Sequence, residues 1–130
     1  MADVLSEHDI ELFRGKNFGH IATLMPDGSP HVSPVWVDVK DGLIWVNTLE
    51  GRIKPRNVRR DPRVAISVQA LDDPEDDVVM VRGRVIEITA EGGADHIDEL
   101  SRRYRGQDYD DHKPAVPRVI LKIRPDHVAH

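Results

Sequence analysis

The sequence predicts a mainly β protein, a small antiparallel barrel of six strands with short helices between them. Two patterns lead to this prediction: short segments that alternate between apolar and polar residues, and turn signals that separate them. Asp41-Gly42 is the clearest hairpin turn, because a tight hairpin favours residues that accept positive φ. The length of 130 residues suits one domain, which we place at residues 1–130.

Each predicted strand alternates in polarity and is bounded by a turn or a glycine. In the second strand, Val35, Val37 and Val39 share one side and Trp36 lies on the other. Gly83 interrupts the longest strand and is expected to mark a β-bulge. The predicted strands are residues 18–25, 30–39, 43–48, 64–68, 78–89 and a last segment that includes 119, 121 and 123.

Two helices are predicted from the capping signals at their ends and from their apolar faces. The segment Ser6–Asp9 has the pattern of a capping box, so the first helix begins there. An apolar face from 94 to 104 defines another helix, which ends before Gly106. The polar, proline-bearing segments 71–77 and 107–117 are expected to be loops.

The most informative segment is the basic run from Gly51 to Arg63. Six of the chain's 18 Lys and Arg residues fall within its last twelve positions, 52–63, although the net charge is −5. Pro55 suits the first helical position and Pro62 biases the residue before it away from helix, so we expect a short helix over about residues 55–60, with Arg52 and Lys54 just before its N-terminus. Cations are unfavourable at that positive end of the helix dipole. The run therefore predicts an anion site, most simply for a phosphate; a solvated basic helix and a nucleic-acid patch are the alternatives.

Composition limits the other kinds of site and partner. The chain has no cysteine, which excludes disulfides, thiolate metal sites and cysteine nucleophiles. Its seven histidines lack the helical spacing of a zinc enzyme, and no metal is expected. The negative net charge argues against nucleic acid, and no apolar run is long enough for a membrane span. We expect a cytoplasmic protein with a small-molecule partner.

The order of motifs resembles that of a known family. A Gly-His-Ile-Ala-Thr-Leu strand at 19–24 is followed by His-Val-Ser-Pro-Val-Trp at 31–36 and Trp-Val-Asn-Thr at 45–48. The most specific part is Arg52-x-Lys54-x-x-Asn57, with Arg-Asp-Pro-Arg directly after it. Nearly the whole chain resembles the FMN-binding split-barrel superfamily of pyridoxamine 5'-phosphate oxidase. It is most similar to the actinobacterial flavin/deazaflavin oxidoreductases, group B, which use the deazaflavin coenzyme F420.

This resemblance implies an F420-dependent oxidoreductase. Such an enzyme transfers a hydride from the reduced coenzyme to an electron-poor unsaturated substrate of the quinone, enone or biliverdin type. The resemblance also implies a homodimer of six-stranded Greek-key split barrels, with coenzyme sites at the subunit interface. FMN is the alternative cofactor, although the second strand lacks the basic residues that pyridoxamine phosphate oxidases use for the FMN phosphate. A non-catalytic F420 or flavin carrier or sensor is the other function class.

The resemblance further implies which residues bind the coenzyme. Arg52, Lys54 and Asn57 would hold its phosphate, in agreement with the anion site predicted from charge. The ring would lie against the second strand, and the third strand would line the groove; the residues implied are Ser33, Pro34, Val35, Trp36, Asn47, Thr48 and Leu49. The resemblance implies no catalytic side chain, since solvent can protonate the substrate. His20 and His31 are candidate proton donors, but each is more simply an exposed strand histidine.

Overall fold

The computed structural model describes residues 4–112 and 115–130 and has a mainly β architecture, as predicted. The elements in chain order are α1 (Glu7–Arg14), β1 (Gly19–Leu24), β2 (Pro30–Val35), β3 (Asp38–Lys40), β4 (Leu43–Leu49), α2 (Ile53–Arg60), β5 (Arg63–Gln69), β6 (Val78–Thr89), α3 (Gly93–Arg105) and β7 (Arg118–Ala129). The strands form one antiparallel sheet in the order β2-β1-β5-β6-β7-β4-β3. No helix in the described ranges is long and apolar enough to cross a membrane.

The predicted second strand, 30–39, is wrong as a single element, because it divides into β2 and β3. The sheet therefore has seven strands rather than six. β2 pairs with β1, β3 pairs with β4, and these two strands are the outer edges of the sheet. Only two residues connect them, so the sheet must curl until its two edges approach each other.

Val37 shows why the backbone hydrogen bonding of the sheet stays open between the edge strands β2 and β3. Its backbone N–H donates to the Tyr104 hydroxyl at 3.2 Å, and its carbonyl accepts from Arg103 at 3.4 Å. Side chains of α3 thus occupy the backbone groups that a neighbouring strand would otherwise bind. The apolar alternation continues through this break, since Val35, Val37 and Val39 are all buried, as predicted.

One apolar core fills the curled sheet. It joins buried side chains from all seven strands with Leu12 and Phe13 of α1 and Val58 of α2. The predicted capping box of α1 is confirmed, because Ser6 and Asp9 exchange side-chain and backbone hydrogen bonds at 2.9 and 3.1 Å. This cap fixes the start of the helix that presents Phe13 to the core.

Helix α2 begins two residues earlier than predicted. Arg52 is its N-cap and Pro55 is its third residue rather than its first, so Lys54 lies within the first turn and not before it. Proline is tolerated there because the N–H groups of the first turn have no acceptor inside the helix. The helix ends at Arg60, as predicted.

The long strands β6 and β7 pair closely around the predicted bulge. Their register shifts between Arg82 and Gly83, which confirms the bulge, and shifts again between Val85 and Glu87. A Cβ atom on Gly83 would lie 2.2 Å from the Arg124 carbonyl oxygen, so the close approach requires glycine. The predicted loop at 71–77 is confirmed, and the described part of 107–117 has no helix or strand; residues 113 and 114 lie outside the described residues.

Candidate functional site

The cations of the basic run fall into two groups. Toward its C-terminal end, Arg59 and Arg63 each form an ion pair with a nearby carboxylate. Arg52 and Lys54, at the start of α2, have no carboxylate within 4 Å among residues 4–112 and 115–130. Arg56 and Arg60 also lack a carboxylate partner in these ranges, but Arg52 and Lys54 lie at the N-terminal end of α2, so the predicted anion site narrows to these two side chains and the first turn of the helix.

Lys54 is the less exposed of the two. Its ammonium group donates a hydrogen bond of 3.1 Å to the Ser33 hydroxyl on β2, which draws it over the sheet. Burial, followed by the positive charge of Arg52, lowers the pKa of Lys54 below its ordinary value of 10.5. No acidic residue lies in the first turn of α2 to offset these charges. A bound anion would relieve both effects, because it would partner the ammonium and the free N–H groups of the helix.

A groove of about 410 Å³ lies beside this site. Five of the residues implied by the resemblance line it: Pro34, Val35, Trp36, Asn47 and Arg52. Ser33 joins them through its bond to Lys54. The rest of the wall comes mainly from α3 and the segment after it, and none of the described residues that line the groove is Asp or Glu. An acid-free groove with several cations suits a ligand that carries negative charge.

Three residues implied by the resemblance are placed elsewhere. Asn57 is 2% exposed, and its amide donates to the Thr23 hydroxyl on β1 at 2.9 Å. Thr48 and Leu49 are also buried, and they pair with the first residues of β7. These contacts attach α2 and β4 to the sheet beneath the groove. Their proposed contacts with a coenzyme stay predictions.

Aromatic rings and two further cations form the other wall of the groove. Trp36 stacks on Tyr104 with ring centroids 5.2 Å apart, so one face of its indole is covered. The Arg105 guanidinium lies 5.3 Å from the Trp36 ring and 5.4 Å from the Tyr109 ring. The Arg118 guanidinium lies 4.7 Å from the same Tyr109 ring. This wall offers flat apolar surfaces together with positive charge.

A buried hydrogen-bond chain holds Asn47 in place behind this wall. The Asn47 amide donates to the Gly93 carbonyl at 2.9 Å and lies 3.2 Å from Nδ1 of His96. Nε2 of His96 contacts the fully buried Asp38 carboxylate at 3.1 Å. His96 therefore accepts from Asn47 and donates to Asp38, which leaves the Asn47 oxygen to accept from Arg118 at 3.4 Å.

Asp38 remains charged within this chain. Burial alone would raise the pKa of Asp38, but the hydrogen bond from His96 and the charge of Arg103 outweigh it and lower the pKa. Arg103 contacts the carboxylate at 3.2 Å. The negative charge thus holds the His96 ring in one orientation.

The two candidate histidines lie outside the groove. His20 is exposed on β1, next to Pro34 of the paired strand β2. His31 is partly buried on β2, and its Nδ1 atom has no hydrogen-bond partner within the described ranges. Neither one lines the groove. In the same described residues, no group of three or more His, Asp or Glu side chains is arranged to hold a metal ion.

Sequence reasoning missed Arg105, Tyr109, Arg118 and His96. The 107–117 segment was expected to be only a loop, and the cations at the end of α3 have the ordinary role of offsetting a helix dipole. The contact between Asn47 and Arg118 spans 71 positions of sequence, so no local spacing could indicate it. The one available signal is the group of aromatic and basic residues on both sides of 110.

Comparison with known proteins gives the same fold over nearly the whole chain. An F420 reductase structure is 29% identical, with a TM-score of 0.84 over 97% of this chain and 98% of that one. A conserved hypothetical protein from Mycobacterium tuberculosis is 33% identical, with a TM-score of 0.70 over 98% of this chain and 86% of that one. An FAD-binding protein from Mesorhizobium loti shares the fold at 18% identity and a TM-score of 0.61, over 97% and 94% of the two chains.

The family match agrees with these structures and with the motifs from which the resemblance was inferred. Residues 5–130 match the sequence family described as pyridoxamine 5'-phosphate oxidase, which covers both walls of the groove and all seven strands. The predicted split-barrel class is confirmed, with the sheet open rather than closed between β2 and β3. The chain belongs to the pyridoxamine 5'-phosphate oxidase family of split-barrel oxidoreductases.

Proposed function

We propose that the protein is an F420-dependent reductase that binds the deazaflavin coenzyme in the groove and reduces an electron-poor unsaturated acceptor. The observation that carries this proposal is a groove without Asp or Glu among its described lining residues, next to Arg52 and the half-buried Lys54, which have no carboxylate partner in the described ranges and lie at the start of α2. The similarity to an F420 reductase over 97% of the chain supports the choice of coenzyme.

Different residues at the groove would bind different parts of the coenzyme. Arg52, Lys54 and the N–H groups of α2 would hold the phosphate, and Ser33 keeps the Lys54 ammonium above the sheet. Pro34 and Trp36 would offer an apolar surface to the coenzyme ring and exclude water from one side of it.

In this proposal the side chains mainly position the coenzyme and the acceptor, and the coenzyme supplies the chemistry. When bound, reduced F420 supplies a hydride to the electron-poor carbon of the acceptor, and a solvent proton completes the reduction of the double bond. The groove residues would orient the acceptor against the coenzyme ring and keep the site dry. His20 and His31 lie outside the groove, so we assign no side-chain proton donor.

Two alternatives share the same phosphate subsite. FMN would use Arg52 and Lys54 in the same way, and a fold relative at 18% identity is described as FAD-binding. A carrier or sensor would bind either cofactor without turnover. The acceptor separates this last alternative from a reductase, because only a reductase oxidises the bound, reduced coenzyme when an acceptor is added.

The test is a parallel titration with F420 and FMN, followed by tryptophan fluorescence in two variants. Trp45→Phe leaves Trp36 as the only tryptophan, and Trp36→Phe leaves Trp45, which packs against His96 outside the groove lining. We expect F420 to bind more tightly than FMN and to quench the Trp45→Phe protein but not the Trp36→Phe protein. Tighter FMN binding would favour the flavin alternative, and reduced F420 that menadione leaves unoxidised would favour the carrier.

We also propose that the protein is a homodimer, with the outer face of the sheet as the contact. Val32 and Met80 are exposed there by 65% and 43%, and they line a depression together with small residues and three polar side chains: Ala22, Ala65, Ser67, Ala129, His20, Arg82 and His127. Exposed apolar side chains around small residues suit burial against a second sheet. The resemblance implies the same assembly.

A further inference from the structure

We propose that Arg118 and Arg105 form a carboxylate subsite for the acceptor substrate, separate from the phosphate subsite at Arg52 and Lys54. This proposal rests on the proposed function, because it names the class of acceptor that the same groove would take. The preferred acceptors are conjugated carboxylic acids, in which a planar unsaturated system carries the anionic group.

The first observation is that the partners of Arg118 among the described residues are neutral. Its guanidinium donates to the Tyr109 hydroxyl at 2.9 Å and to the Asn47 oxygen at 3.4 Å. No carboxylate lies within 4 Å of it in the described part of the chain. A guanidinium has five N–H donors, so several remain for a ligand. A partly buried cation without a counter-charge is costly to hold, and an anion in the groove would offset that cost.

The second observation is that Arg105 adds a like charge beside the same ring. Arg105 and Arg118 both lie against Tyr109, so each disfavours the other electrostatically. The one carboxylate partner of Arg105, Asp110, is 3.3 Å away with a side chain that is 67% exposed. An exposed ion pair of this kind contributes little stability. This end of the groove therefore keeps a net positive charge.

The third observation is that the fold fixes the orientation of Arg118 from the core side. The Asn47 amide is held by the Gly93 carbonyl and by His96, and His96 is held by the buried Asp38. These contacts direct the Asn47 oxygen at the Arg118 guanidinium. Because this second layer is buried, Arg118 is positioned before a ligand arrives, and less entropy is lost when it binds.

The surroundings select a planar carboxylate among anions. A guanidinium binds the two oxygens of a carboxylate with two parallel hydrogen bonds. The Tyr109 ring beside it offers an aromatic contact to a conjugated system attached to that carboxylate. The geometry therefore favours an unsaturated acid over its neutral ester or amide. In the proposed function, the coenzyme phosphate would take Arg52 and Lys54 as its partners.

The test compares cinnamate, a conjugated carboxylate, with methyl cinnamate, its neutral ester, by calorimetric titration of the full chain at low salt. We expect wild-type protein to prefer cinnamate, and Arg118→Met to weaken cinnamate binding about tenfold or more without changing binding of the ester. Arg105→Met should weaken cinnamate binding less than Arg118→Met does, and Arg118→Lys should recover part of the affinity that Arg118→Met loses. Arg124→Met is the matched control, because Arg124 lies on the same strand, exposed and bonded to Asp126.

The affinity for F420 distinguishes an acceptor carboxylate at Arg118 from a carboxylate of the coenzyme itself. We expect Arg118→Met to bind F420 as wild-type protein does, whereas a loss as large as that of Lys54→Met would assign Arg118 to the coenzyme and overturn the proposal. Equal affinity of wild-type protein for cinnamate and its ester would also overturn it, and would leave Arg118 as a packing partner of Tyr109. If wild-type protein binds no F420 but retains the Arg118-dependent preference for cinnamate, the proposed function fails and the subsite stands.

Discussion

Lys54 is held in a partly buried position without a carboxylate to neutralise it. Burial and the neighbouring Arg52 lower its pKa below 10.5, so the folded protein binds this proton less tightly than the unfolded chain does. Folding stability should therefore rise as the pH increases from the lowered pKa toward 10.5. At neutral pH the charge is a cost to the apo protein, and an anionic ligand gives a reason to keep it.

Lys54→Met is expected to separate stability from binding. The apo protein should melt at the same or a slightly higher temperature, while the affinity for F420 falls by about 1.5–3 kcal/mol, the scale of a charged hydrogen bond. Calorimetry for melting and fluorescence titration for binding would measure the two effects. Arg56→Met is the control, since Arg56 is a cation on the same helix that is exposed, whereas Lys54 is half-buried against Ser33. An apo protein that unfolds would make Lys54 a structural residue and end the phosphate interpretation.

The two walls of the groove differ in how far sequence could predict them. Pro34, Trp36 and Arg52 follow from the resemblance and the charge pattern, because each belongs to a motif with fixed local spacing. Tyr109 and Arg118 come from a segment whose only local signal is that of a loop. Their place in the groove depends on where α3 and β7 cross β4, and long-range packing of this kind has no signature in a single sequence.

At the scale of elements, the division of 30–39 into β2 and β3 shows what periodicity can report. The alternation of Val35, Val37 and Val39 reports which side of the chain is buried, and that prediction is confirmed. It does not report which strand lies alongside. Along this segment the chain pairs first with β1 and then with β4, while the same side keeps facing the core. The apolar alternation of two strands is therefore the same as that of one long strand.

The seating of α3 on β7 depends on Gly93. A Cβ atom there would lie 2.3 Å from the Arg118 carbonyl oxygen, although the backbone of Gly93 is not in the left-handed region. Gly93→Ala should push the helix away from β7 and destabilise the protein by about 1–3 kcal/mol, the scale of overpacking. Urea unfolding would measure this change.

The same variant should also weaken cinnamate binding, because Gly93 accepts a hydrogen bond from Asn47, which positions Arg118. Ala94→Ser is the matched control, since its neighbouring position on α3 is exposed. Unchanged stability in Gly93→Ala would mean that α3 does not seat on β7 at this distance.

At the scale of the whole molecule, cations gather in the groove, and apolar side chains are exposed on the outer face of the sheet beside Arg82. The net charge is −5, yet the described residues that line the groove include three arginines and no Asp or Glu, while Asp110 pairs with one of these arginines from a largely exposed position. The uncovered apolar side chains Val32 and Met80 lie together on the outer face of the sheet. A sequence reports how many charged and apolar residues a chain has. Which of them reach the groove and which reach the outer face of the sheet depends on the order of strands in the sheet.

This outer face gives the last prediction, on assembly. Val32→Glu places a charge at the centre of the proposed contact and should convert a dimer into a monomer that keeps its fold, since Val32 is 65% exposed in the single chain. Light scattering after gel filtration would give the mass, and circular dichroism would check the fold. Val4→Glu is the control, because Val4 is 84% exposed and does not line the depression between Val32 and Met80. A wild-type protein that is monomeric at micromolar concentration would refute the dimer, and a groove that then binds F420 unaided would be complete within one chain.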